Sequence, residues 1–155
     1  MSDAVIGAAA ADAPEARWAM SEYFAELDRR FTHGFEVGDA LDDAAAAFRP
    51  PDGVFLLARR GEAVVGCGGL QRVDAATAEI KRMWVSPDAR GMGLGRRLLE
   101  ALEAQAAGLG ATRVILDTNG VLAEAIAMYG RAGYERIERY NDNPYAQLWF
   151  AKSLR

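Results

Sequence analysis

The stretch from Thr77 to Ala106 constrains the architecture of this chain more than any other. An alternating run, Thr77 to Val85, is ended by Ser86-Pro87. Glycines at 91, 93 and 95 then lead into Leu94, Leu98, Leu99, Leu102 and Ala106, which share one helical face. A strand that feeds a helix through a glycine turn belongs to folds in which helices cover a sheet. Such a turn leaves backbone N–H groups uncovered, and the helix N-terminus adds about half a positive charge. An anion can sit there. Arg90 and Arg96 flank the turn and can add charge-assisted bonds to phosphate. The physical reading is a phosphate-bearing ligand; the plainer alternative is a glycine turn that only eases the chain into its helix.

Spacing narrows the ligand. A Walker A loop needs Gly-Lys-Ser/Thr, and Gly95 is followed by Arg96-Arg97. A dinucleotide fingerprint needs G-x-G-x-x-G near the first strand, whereas this turn reads G-x-G-x-G after the third or fourth.

The rest of the chain supplies a mixed set of elements. Ala4 to Ala8 reads as a short strand. Asp12 reads as an N-cap, with Pro14 in the first turn and a helix over 13–31. A shorter helix spans Asp39 to Phe48, ended by Pro50 and Pro51. Val54 to Arg60 and Ala63 to Val73 read as a hairpin turning at Gly61, where Gly66, Gly68 and Gly69 predict a bend or a close backbone approach. Val114-Ile115-Leu116 is a short strand buried on both faces. Ala123 to Arg131 is a helix closed by Gly133, and two strands follow near Tyr134 to Glu138 and Gln147 to Lys152. No repeat or linker divides the 155 residues, so one domain over 1–155 is expected.

Composition removes several function classes. Hydrophobic residues make up 51 %, of which 31 residues are alanine, yet bulky core formers remain plentiful enough for a folded globule. A net charge of -4 without a basic block argues against broad contact with nucleic acid, while allowing a local cationic pocket. One cysteine, Cys67, and one histidine, His33, exclude a disulfide framework and point to no metal. No apolar run reaches the ~20 residues that span a bilayer, and the first residues lack a basic n-region. A cytoplasmic protein with no membrane partner is the expectation.

Four segments together resemble a known family. Arg90-x-x-Gly93-x-Gly95 is similar to the R/Q-x-x-G-x-G/A motif of the GNAT superfamily of acyl-CoA-dependent N-acetyltransferases. Glu79-Ile80-Lys81-Arg82-Met83-Trp84-Val85 precedes it, and Leu116-Asp117-Thr118 follows. Ala125 to Tyr134 then resembles the A-x-x-x-Y-x-x-x-G-F/Y segment. The likeness covers Val54 to Leu154, about two thirds of the chain. It implies a mixed α/β (α+β) fold: a central, mostly antiparallel sheet of six to seven strands, splayed at the cofactor site and flanked by about four helices. It also implies acetyl-CoA as cosubstrate, with the pyrophosphate on Arg90, Gly91, Met92, Gly93, Leu94, Gly95 and Arg96. The pantetheine arm would then run beside Met83, Trp84 and Val85. Many members carry Asn seven residues before the tyrosine; Leu122 stands there, and Asn119 is the candidate substitute.

The chemistry sets three requirements. Alkyl amines with pKa near ~10.4 are protonated at neutral pH, so a base must take a proton. Family position assigns Glu79, acting through a water; the alternative is a surface pair with Lys81 or Arg136. Negative charge on the thioester oxygen needs a donor, for which the backbone N–H of Trp84 or Val85 is suited. The departing thiolate needs a proton, and Tyr129 sits where the family places its acid. The alternative for Tyr129 is a core residue joining helix to sheet.

The leading expectation is an enzyme that acetylates a primary amine of a small molecule in a ternary complex. The first helices and the turn Tyr140 to Tyr145 would bound the acceptor. A protein N-terminus or lysine as acceptor, and a non-catalytic acyl-CoA-binding module, are the alternatives. A homodimer is left open. Cys67, Trp18 and Trp149 read as packing residues and His33 as a loop residue.

Overall fold

The computed structural model describes residues 4–154. Its elements are β1 (Val5–Ala9), α1 (Pro14–Arg30), α2 (Ala40–Ala47), β2 (Gly53–Arg60), β3 (Ala63–Arg72) and β4 (Thr77–Val85). After the glycine turn come α3 (Leu94–Gly108), β5 (Arg113–Thr118), α4 (Ala123–Arg131), β6 (Glu135–Ile137) and β7 (Leu148–Ser153). The seven strands form one sheet in the order β1-β2-β3-β4-β5-β7-β6. Every neighbour is antiparallel except β4 and β5. The sheet has seven strands and the described residues form four α-helices, as the sequence led one to expect.

Two cores sandwich the sheet. On one face, Leu98, Leu99 and Leu102 of α3 are fully buried against Leu70, Val114 and Leu116. Each such side chain contributes about 1.5–3 kcal/mol of transfer free energy. On the other face, Met20, Phe24 and Leu27 of α1 pack with Phe48, Phe55, Cys67 and Trp84. The glycines of β3 let both layers approach. A Cβ on Gly68 would stand 2.7 Å from Leu102, and one on Gly69 would stand 2.8 Å from the Phe48 ring. Among the described residues no helix is long and apolar enough to cross a membrane.

A break in one ladder of the sheet positions the site. The parallel ladder joins Thr77–Glu79 of β4 to Arg113–Ile115 of β5 and then stops, while β5 continues along β7 to Thr118. The edge of β4 from Ile80 to Val85 is therefore left unpaired on that side. The register against β3 also shifts: Cys67 faces Trp84, but Gly69 faces Lys81. Three steps on β4 match two on β3, which is a bulge. Arg82 sits in it with φ 58°, a left-handed conformation that costs about 1–2 kcal/mol outside glycine. The bulge bends β4 away from β5, and the sheet is splayed as the resemblance implied.

Two local expectations are corrected. The N-cap of α1 is Ala13 rather than Asp12, with no side-chain cap bond, because Pro14 occupies the first helical position and shifts the boundary by one residue. The N-cap of α2, Asp39, likewise makes no side-chain bond to its helix.

Candidate active site

The gap between β4 and β5 opens into two cavities. The first, about 420 Å³, lies beside the glycine turn and is walled by Val85, Arg90, Gly91, Gly93, Gly95 and Arg96, among others. Gly91 and Gly93 adopt φ 83° and 78°, left-handed conformations that fold the turn back under the start of α3. Gly93 is the residue preceding the helix, so the N–H groups of Leu94, Gly95 and Arg96 have no partner within it. Gly95 packs on Met128, whose sulfur would stand 3.1 Å from an added Cβ. The cavity carries four arginines, Arg30, Arg90, Arg96 and Arg131, against two carboxylates, Glu26 and Glu124. It is a cationic pocket on an acidic chain.

Arg90 is already engaged. Its Nε donates to Val85 O at 2.9 Å and its Nη2 to Glu26 Oε1 at 2.5 Å. Arg30 bridges Glu26 and Glu124, and this hydrogen bond, more than the opposing burial, lowers the Glu124 carboxyl below its ordinary value. Arg96 pairs with Glu100 at 3.7 Å and remains half exposed. Met92 is exposed and lies off the cavity wall. Arg131, which the sequence reading passed over, is on the wall; its place in the last turn of α4 was the available signal.

The second cavity, about 340 Å³, lies on the α1 side. Its walls include Phe24, Phe31, Phe35, Arg82, Asp117 and Tyr145. Of the turn Tyr140 to Tyr145, the residues Asn143, Pro144 and Tyr145 line this cavity. The turn's polar groups are spent on structure. Asn141 and Asn143 donate to Asp117, at 2.6 and 3.3 Å, and Tyr140 donates to Glu79.

The two cavities share Tyr23, Leu27, Met83, Leu122, Ala125 and Tyr129 on their walls. Tyr129 is buried, only 7 % exposed, and no group among the described residues hydrogen-bonds its hydroxyl. Burial, and secondarily the Asp117 charge, push its pKa up to about 12. Tyr23 faces it and is raised by burial first, then by Tyr129 and Asp117.

Other sequence-named residues fall differently. Glu79 is buried, only 5 % exposed, and forms part of neither cavity wall. It accepts bonds from Tyr140 at 2.7 Å and Gln71 at 3.3 Å, with Lys81 4.0 Å away. The surface pair with Arg136 is not formed. Asn119 lines the second cavity rather than the first. Its amide donates to Tyr145 O, and its oxygen accepts from Val121 N–H, so both ends are used within the loop. The Trp84 side chain packs edge-on against Trp18 at 6.0 Å, leaving only its backbone near the opening. Cys67 is buried, and burial raises its thiol pKa, which fits a packing residue.

A splayed sheet, a cationic glycine turn and a second cavity meeting the first at a buried tyrosine define a transferase that brings a phosphate-bearing donor to an acceptor. Residues 16–134 match the model of the acetyltransferase (GNAT) family, and the chain belongs to that family. It is 44 % identical over 119 residues to a protein from Azospirillum brasilense named IAA acetyltransferase, covering 75 % of this chain and 76 % of that one. A crystal structure of an acetyltransferase from Streptococcus agalactiae superimposes with a TM-score of 0.85 at 23 % identity, covering 99 % and 100 % of the two chains. A GNAT family acetyltransferase from Elizabethkingia anophelis, solved with acetyl-CoA bound, gives 0.72 at 17 % identity over 98 % and 99 %. The chain is thus an acyl-CoA-dependent N-acetyltransferase.

Proposed function

We propose that this enzyme transfers an acetyl group from acetyl-CoA to a primary amine of a small molecule, both substrates being bound together. The observation that carries the reading is the meeting of the two cavities at Tyr129. The first cavity fits the carrier chemically: left-handed glycines expose main-chain N–H groups, and four arginines surround them. Gly91, Gly93, Leu94, Gly95, Arg96 and Arg131 would hold the diphosphate and the nearby phosphate charge, with Arg90 anchoring the turn to Val85. The open edge of β4 at Met83 and Val85 would pair with the amides of the pantetheine arm.

Acetyl-CoA supplies an activated acyl group: a C–N bond forms as the C–S bond breaks, a base takes one amine proton, and the sulfur receives another. Val85 is favoured over Trp84 as the backbone donor near the carbonyl. Ser86 N–H bonds Val65 O on β3, so alternation along the strand aims the Val85 N–H at the open side. Tyr129 donates to the departing sulfur. Its raised pKa keeps it protonated over the working range, at the cost of a weaker driving force for donation. Glu79, held by Tyr140 and Gln71 outside the cavity wall, would take the amine proton through intervening hydrogen bonds. Asp117 is the second reading for the base, because it is the carboxylate that does line the acceptor cavity near Tyr129. Continuous detection of free CoA against a panel of amines tests the proposal. Amine-dependent thiol release supports it, and binding of acetyl-CoA with no release against any amine would leave a non-catalytic acyl-CoA module.

A further inference from the structure

The second cavity is lined by a cation, Arg82, that forms no ion pair among the described residues. Arg82 projects from the β4 bulge, and its Nη1 donates to Ala40 O at 2.8 Å, with Met20 Sδ at 3.4 Å. Its guanidinium lies 5.4 Å from the Phe24 ring centre and 5.1 Å from that of Phe48. No carboxylate reaches ion-pair distance among the described residues; Asp43 acts on it only from afar. A half-buried charge without a counter-ion is costly, and so is a left-handed arginine. Aromatic faces recover part of the cost. The remaining guanidinium donors border the cavity, where a planar anion would accept two of them.

The other groups of the cavity complete the pattern. Phe24 and Phe35 stack at 5.2 Å, Phe35 meets Tyr145 at 4.5 Å, and Phe31 meets Tyr145 at 5.8 Å, so one wall is a row of four rings. Asp117 offers a carboxylate fixed by Asn141 and Asn143. The Tyr23 hydroxyl, on the wall shared with the donor cavity, feels Asp117 and Arg82 with opposite signs. The remaining charged groups on this wall are Lys81, 4.0 Å from Glu79, and Glu36, exposed at the rim.

We propose that the acceptor is an amino acid with an aromatic side chain: Arg82 binds its carboxylate, Asp117 its ammonium group, and the Phe24–Phe35–Tyr145 wall its ring. This rests on the acetyl-transfer reading above. A carboxylate and an amine on one carbon suit a cavity whose lining carries both a cation, Arg82, and an anion, Asp117. A simple amine would leave Arg82 unpaired, and a site built around a hydrogen-bonding group rejects ligands lacking it.

The test measures kcat/KM by CoA release for L-phenylalanine, its carboxamide and 2-phenylethylamine, with acetyl-CoA affinity measured separately by calorimetry. The wild-type enzyme is expected to prefer phenylalanine to either analogue by about a hundredfold. In Arg82→Met that preference is expected to fall to within about threefold, with acetyl-CoA affinity unchanged. A preference that survives Arg82→Met overturns the role of Arg82. Should that variant not fold, the wild-type comparison decides alone: equal use of all three acceptors, or use of none while acetyl-CoA binds, overturns the proposal and leaves the acetyl-CoA reading standing. Failure of acetyl-CoA itself to bind removes the transfer reading, and this inference with it.

Discussion

The Tyr140 hydroxyl donates to Glu79 Oε2 at 2.7 Å, tying the last residue of β4 that pairs with β5 to the loop that bounds the second cavity. Burial and the Glu79 charge together raise the Tyr140 pKa far above the ordinary tyrosine value, so this proton stays on the phenol. If Glu79 is the base, Glu79→Gln lowers kcat about a hundredfold with KM close to wild type. If Glu79 only braces the loop, Tyr140→Phe and Glu79→Gln raise KM together and leave kcat within about twofold of wild type. Asp117→Asn, measured in the same way, separates the two base readings.

Tyr129→Phe removes the hydroxyl without altering the buried ring. The expected outcome is a kcat lower by about a hundredfold, with acetyl-CoA affinity within about twofold of wild type. Equal losses in kcat and in affinity would instead mark Tyr129 as a packing residue.

Alkaline stability follows from the same tyrosine. Its folded pKa, about 12, lies above the ordinary 10.0, so between those values the native state holds a proton that the unfolded chain has lost. Stability is then fully present below pH ~10 and declines as pH rises toward ~12. Burial moves Tyr23, Tyr134 and Tyr140 in the same direction. A pH titration is expected to show tyrosinate absorbance appearing together with unfolding rather than before it.

Gly93 has open space around a notional Cβ, so Gly93→Ala tests conformation alone. With φ 78°, alanine costs about 1 kcal/mol of stability or moves the turn. Acetyl-CoA affinity is expected to drop at least fivefold, while Gly108→Ala, also in open space and at ordinary φ, leaves affinity unchanged.

Glu26 pairs with Arg30 and Arg90 and so offsets part of the positive charge on the wall of the first cavity. Glu26→Gln is expected to raise acetyl-CoA affinity about two- to fivefold at low salt and to lose that gain as salt screens the site. Lower affinity would mean that Glu26 is needed to hold Arg90 in place.

How legible this was depended on which residues carry periodic information. The glycine turn, the buried Val114–Leu116 strand and the α3 face are written in local spacing, and each element formed within a residue or two of the expected bounds. The close approach at Gly68 and Gly69 was legible for the same reason: glycines in a strand have few other uses. Arg82, Asp117 and Tyr23 were not legible as site residues. Arg82 alternates like any strand residue, and its inward aim depends on a bulge set by pairing with β3. Asp117 interrupts an apolar run, a signal that could have been read, but its partners lie on a loop more than twenty residues away. Asn119 was misleading because the Asn-rich turn that consumes its amide is assembled only in the fold.

Main-chain N–H groups of the glycine turn are proposed to hold the diphosphate and so bring the thioester to Tyr129. A crystal structure with acetyl-CoA tests this most directly. Diphosphate oxygens are expected on the N–H groups between Gly91 and Arg96, with the sulfur within hydrogen-bond reach of the Tyr129 hydroxyl. Density for the diphosphate elsewhere, or a sulfur far from Tyr129 with the turn occupied, would contradict it.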